Sequence, residues 1–218
     1  MTGEYDVTEV LPATSLDELG RGTNVALVGP SMSGKRELAL RLLATGYETG
    51  NGILCVTTEN AAQTSEDLER HLSALERAHI GIINCSGSDT QMIQEMTEHV
   101  SSPGDLTGIS IGMARLFRQF NDRGISDIRY GLISVSTLLQ YLRSEKVFKF
   151  LHIYTNRVSE TEGFGIYTLN NDSHDPQVVN TISGQFDGII ELRETERGER
   201  ECRVRGFGRS PTPWLALD

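Results

Sequence analysis

Lysine is nearly missing from this 218-residue chain: Lys35, Lys146 and Lys149 are the only three among 20 basic residues, set against 30 acidic ones, for a formal net charge of −10. Binding to a phosphate backbone draws on a cationic surface, so this balance argues against nucleic acid as a partner. No basic cluster interleaved with aromatics offsets it, and aromatics make up only 6% of residues, which also disfavours single-strand binding by base stacking. Cysteine is scarce. Cys55, Cys85 and Cys202 are widely separated, form no CxxC pair and lie in apolar or strand-like stretches, so they read as small buried residues in a reducing compartment rather than disulfide partners or metal ligands. The five histidines offer no metal site either, since His71 and His79, in and just after one predicted helix, are eight positions apart, too far for joint ligation from adjacent turns. Long hydrophobic runs are absent. The longest, 25–28 and 131–135, fall far short of the roughly 20 residues of a membrane helix. Residues 1–10 carry acids and lack the basic-then-apolar pattern of a secretory signal. The expectation is a cytoplasmic protein with no membrane span and no bound metal of its own.

What is present is a globular composition, 38% hydrophobic and 23% charged, over a length that suits one α/β domain spanning 1–218. Residues 1–22 read as a polar lead-in. Short apolar runs then alternate with helical periodicities, the pattern of βαβ units around a parallel sheet. Strands are predicted at 24–28, 53–57, 80–84, 130–135, 148–155 and 165–169, and helices at 36–44, 66–78, 89–100, 109–121, 137–144 and 176–185. Gly46 is placed to end the first helix. Two strand-like runs, 188–193 and 202–207, form a closing hairpin within 187–207, an antiparallel edge on a mainly parallel sheet.

Between the first strand and the first helix stands Gly29-Pro30-Ser31-Met32-Ser33-Gly34-Lys35-Arg36. It satisfies GxxxxGK and departs only at the last position, where a phosphate loop has Ser or Thr. Glycine lets backbone N–H groups curl around a phosphate, the helix that follows points its positive end there, and lysine reaches the β/γ oxygens. The missing hydroxyl is the one that ligates Mg²⁺ in a working loop. Arg36 cannot ligate a cation. ATP or ADP is therefore the expected ligand, with magnesium in question.

This loop, the order of elements and the closing Arg203-Val204-Arg205-Gly206 resemble the KaiC-like branch of the RecA superfamily of ATPases, over about residues 16–217. The resemblance implies a RecA-like three-layer fold. In that family a carboxylate just after the second strand orients the attacking water, which implies that role for Glu59, while the usual second acid is Asn60 here. An aspartate at the end of the central strand supports the magnesium shell in the family, and Ser134 stands in its place. With Arg36 and Ser134 both departed, hydrolysis is expected to be slow or absent, with nucleotide binding retained. The family also uses basic residues of its last hairpin on the adjacent subunit's nucleotide, which implies Arg203 and Arg205 acting in trans and self-association through the nucleotide face. Few lysines, many acids and a degenerate metal site together resemble the RecA-like ATPases of halophilic archaea assigned to signal transduction through protein partners. Alternatives are an active Mg-ATPase using Glu59, a recombinase-like DNA binder, and a scaffold that no longer binds nucleotide.

Overall fold

A computed structural model describes residues 5–7, 10–11, 18–45, 50–72, 79–87 and 96–217. In chain order the strands are β1 (Tyr5–Asp6), β2 (Glu18–Leu19), β3 (Asn24–Gly29), β4 (Gly52–Thr57), β5 (Ile80–Asn84), β6 (Thr97–His99), β7 (Ile128–Ile133), β8 (Phe164–Asn170), β9 (Gly188–Glu194), β10 (Arg200–Arg205) and β11 (Leu215–Ala216). The helices are α1 (Lys35–Ala44), α2 (Ala61–Glu69), α3 (Leu106–Asp122), α4 (Val135–Tyr141), α5 (Ser144–Glu160) and α6 (Pro176–Ser183). Nine strands form one sheet in the order β11-β10-β9-β3-β8-β7-β4-β5-β6. It is parallel from β9 to β6, and β10 and β11 add antiparallel pairings at one edge. This is the expected α/β fold with its closing hairpin.

Strand alternation sorts the core into two layers. Val25 and Leu27 face one side with Leu38, Leu42 and Leu43 of α1, whereas Ala26 and Val28 face the other with Leu116 and Phe120 of α3 and Leu151 and Tyr154 of α5. Central strands covered on both faces can be apolar at every position, and β3, β4, β5 and β7 are buried throughout. Some of the polar groups inside are paired across elements, while the Tyr154 hydroxyl and Ser183 Oγ are buried without a hydrogen-bond partner. The Tyr167 hydroxyl donates to Asn24 Oδ1 at 2.7 Å, and Asn24 N donates to Asp187 Oδ2 at 2.8 Å, tying the base of β3 to its neighbours.

Two expected elements are corrected. Residues 148–155, expected as a strand, lie inside α5, whose buried Val147, Phe150, Leu151, Tyr154 and Val158 recur at helical spacing. Residues 97–99, placed in a helix over 89–100, form edge strand β6, paired in parallel with β5; the earlier part of that expected helix, 89–95, lies outside the described residues. α2 begins at Ala61, five residues before the expected start, because Asn60 caps it by accepting from Ala62 N at 2.9 Å. The lead-in is not wholly polar in its packing: β1 pairs with β2, and Val7, Val10, Leu11 and Leu19 are buried in the α1-side core. Gly46 also falls outside the described residues. Cys55, Cys85 and Cys202 are free and buried, as expected. Among the described residues no helix is long and apolar enough to cross a membrane.

Candidate nucleotide site

The phosphate loop leaves the carboxyl end of β3 and enters α1, at the place where β3 lies between β8 and β9. Ligands of open α/β sheets gather beyond such carboxyl ends. Ser33 N donates to Pro30 O at 3.2 Å, curling the loop. Gly29 has no room for a side chain: an added Cβ would lie 2.7 Å from Leu192 O and 3.0 Å from Ser33 Oγ. Gly34, at φ +86°, is the residue before α1 and supplies no side-chain cap. The loop's motif thus spans a strand end and a helix start, as phosphate binding demands. Met32, at the tip with φ 62°, is almost fully exposed.

Lys35 is 5% exposed and folded back into the loop, where Nζ donates to Pro30 O at 2.5 Å and to Ser33 Oγ at 3.2 Å. Burial pushes its ammonium down to about 8, with the Asp172 charge pulling the other way. Asp172, in the turn after β8, accepts from Ser31 N at 2.9 Å and from Ser31 Oγ at 3.1 Å. That backbone hydrogen bond, with those of Ser31 and Ser173, holds its carboxyl below the usual range. Arg200, at the start of β10, lies over the other side of the loop, since a Cβ on Gly34 would sit 3.1 Å from its Nη1.

Arg36 does not point idly to solvent. Its Nε donates to Glu59 Oε2 at 2.6 Å and its Nη1 to Asp67 Oδ2 at 2.5 Å. Burial works against the guanidinium charge, but Glu59 and Asp67 outweigh it and raise its pKa. Asp67 on α2 also accepts from Gln63 Nε2 at 2.8 Å and pairs with Arg70. Burial raises the Asp67 carboxyl, and these donors more than offset it, leaving the net shift downward. A carboxylate with a depressed folded-state pKa stabilises the fold above its unfolded value, near 4, and loses that contribution as pH falls through the folded value. Acid unfolding followed by circular dichroism should therefore be less steep below about pH 4 in Asp67→Asn. At neutral pH that variant should be less stable by about 2 kcal/mol, because the Asp67 side chain is only 8% exposed and its partners would be left partly uncompensated.

Ser134 sits at the end of β7, where it caps α4 by accepting from Ser136 N at 3.1 Å. Around it the polar groups are hydroxyls: Thr58 Oγ1 donates to Thr137 Oγ1 at 3.1 Å, and Thr57 and Thr64 share a bond of 3.1 Å. Asn60 is spent on capping α2. A magnesium ion does not fit this set. A guanidinium stands at the hydroxyl position, the two nearby carboxylates are held by it, and the Ser134 oxygen already accepts from a backbone N–H. Arg203 and Arg205 point to the sheet face opposite α1. Both pair with Glu191, at 3.1 Å for Arg205, and Arg203 also stacks on Trp214. They do not reach this chain's own loop.

Glu59 and Arg36 are thus brought together, as are Lys35 and the loop, whereas Ser134 and the Arg203–Arg205 pair serve other contacts. Asp67, Asp172 and Arg200 were missed by the sequence reading. Strand parity carried a signal for Arg200, which shares the α1-side face with buried Cys202 and Val204. Asp172 carried none, because its approach to Ser31 bridges 141 positions.

Fold and loop together define a RecA-like α/β fold with a GxxxxGK loop between β3 and α1, in which Arg36 follows the lysine where the motif has a hydroxyl. The chain belongs to the family described as "Family of unknown function (DUF7504)", whose model matches residues 22–192. Among solved structures it is similar to the KaiC-like protein PH0186 from the hyperthermophilic archaeon Pyrococcus horikoshii, at 16% identity and a TM-score of 0.65, covering 100% of this chain and 90% of that one. No curated protein matches it in sequence.

Proposed function

We propose that this protein is a nucleotide-binding regulator that takes ATP or ADP on its phosphate loop, hydrolyses it slowly or not at all, and signals its state to protein partners. The observation that carries this reading is the Arg36–Glu59 ion pair. It joins the position of the metal-ligating hydroxyl to the carboxylate expected to orient water, so both catalytic requirements are compromised at once. The loop beside it retains Gly29, Gly34 and Lys35, the residues of the GxxxxGK motif, between a strand end and a helix start, which supports phosphate binding there. A regulator needs only differential contact between two states, and elements around the loop offer it: Arg36 to α2, Asp172 to the turn after β8, and Arg200 to the closing hairpin. Arg203 and Arg205, on the far face of that hairpin, are the candidates for contact with a second copy's nucleotide. A cytoplasmic setting, an archaeal halophilic source and signal transduction belong to the same proposal, supported by the acidic, lysine-poor composition.

The test pairs equilibrium binding of ATP with phosphate release under saturating ATP. Binding with release near background supports the regulator. Steady release that falls sharply in Glu59→Gln would instead make the protein a working ATPase. No binding of ATP or ADP would leave a scaffold.

A further inference from the structure

We infer that Arg36 takes over the charge role of a divalent cation, so that the site binds a nucleoside di- or triphosphate without metal, Arg36 exchanging its bond to Glu59 for one to phosphate. The inference rests on the nucleotide reading above and adds to it the ion requirement and the moving part. In an ordinary loop of this kind the residue after the lysine ligates magnesium, and magnesium offsets the β/γ charge. Here the same position carries a fixed positive charge whose planar fork suits phosphate oxygens as well as carboxylates.

The two carboxylates that hold it are unequal. The Asp67 side chain is 8% exposed and is fixed further by Gln63 and Arg70, whereas that of Glu59 is 51% exposed and receives, at its carboxylate, only Arg36 among the bonds described. Asp67 is therefore the anchor and Glu59 the exchangeable partner. Before exchange, Arg36 and Arg70 balance Glu59 and Asp67. After it, Arg36 faces the incoming anion and Glu59 is free at the start of α2, where Asn60 caps the helix. Nucleotide occupancy is thereby transmitted to α2.

Calorimetric titration of the full chain with ATP and with ADP, in chelator and in excess magnesium, tests this. Dissociation constants in the two conditions should agree within about threefold, less than one charge-assisted contact is worth. Glu59→Gln should tighten binding in chelator by about two- to fivefold, the size of an exposed ion pair, a gain that a damaged fold cannot imitate. Arg36→Ser should lose at least about tenfold in chelator, as expected for a lost hydrogen bond to a charged group, and recover on addition of magnesium. Wild-type binding that appears only with magnesium overturns the inference and leaves the nucleotide reading standing, as does binding unchanged or weakened in Glu59→Gln. Failure of ATP and ADP to bind in both conditions overturns the nucleotide reading and this inference with it.

Discussion

Replacing Lys35 with methionine should raise the melting temperature of the ligand-free protein and abolish the shift that ATP produces. Lys35 is held charged at neutral pH in a site that burial disfavours for charge, with its pKa brought from 10.5 to about 8. That difference corresponds to at most about 3 kcal/mol of folding free energy spent on the charged form. Methionine keeps an unbranched stem of similar length and removes the ammonium. The bonds to Pro30 O and Ser33 Oγ are lost with it, so a net gain of about 1–2 kcal/mol is expected, or roughly 2–8 °C for a chain of this size. In the wild type, ATP at 100 times its dissociation constant should add about 2.7 kcal/mol. Differential scanning fluorimetry with and without ATP reads both effects. A ligand-free variant less stable than wild type would show that Lys35 is structural; an ATP shift that persisted would place the nucleotide elsewhere.

The pH dependence has a definite sign. The folded-state pKa of Lys35 lies below its unfolded value, so between about pH 8 and 10.5 the unfolded chain binds more protons and the ligand-free fold gains stability as pH rises. Phosphate requires the charged form. Nucleotide affinity should therefore hold up to about pH 8 and fall above it, in opposition to the trend in stability, and Lys35→Met should show neither slope.

Phe120→Ala should destabilise the fold by about 3–5 kcal/mol. Phe120 is fully buried on α3, and its ring lies where side chains on β4 and β5 would otherwise be: added Cβ atoms would come within 3.1 Å of it at Gly52 and 3.2 Å at Gly81. Two glycines on neighbouring strands make one flat seat for one ring. Alanine at 120 would leave both seats and the ring volume empty, and neither glycine has a side chain with which to collapse into the gap. Urea unfolding should show a lower midpoint with the slope little changed. Nucleotide affinity should be nearly unaffected where the variant remains folded, because the ring packs at the opposite end of β4 from Thr57 and Glu59. A loss under about 1 kcal/mol would mean that α3 can settle onto the sheet without it.

Two stretches of the chain fold against what their residue types announce, for different reasons. Residues 148–155 are rich in Phe, Ile, Tyr and Thr, types that favour strands. Their spacing carried the opposite message, and α5 obeys the spacing because a stripe of Val147, Leu151, Tyr154 and Val158 must reach the sheet. At 97–99 too few residues exist for any periodicity to speak. An edge strand of three forms because β5 leaves its outer backbone groups unpaired, a fact about a neighbour rather than about Thr97, Glu98 and His99.

Local order alone determined the phosphate loop, the alternation that builds the sheet and the antiparallel closing hairpin, because each rests on spacing between residues close in the chain. It also determined that Arg36 cannot ligate a metal, which is a matter of side-chain chemistry. What Arg36 does instead depended on folding. Its partners Glu59 and Asp67 are 23 and 31 positions away, and only the packing of α2 beside α1 brings their carboxylates to one guanidinium. Asp172 and Arg200 reach the loop in the same way from late in the chain, Asp172 from the turn after β8, which flanks β3, and Arg200 from β10, one strand beyond β9. Periodicity names the face a residue occupies; charge pairing between distant elements follows from which faces meet, and that is set when the sheet assembles.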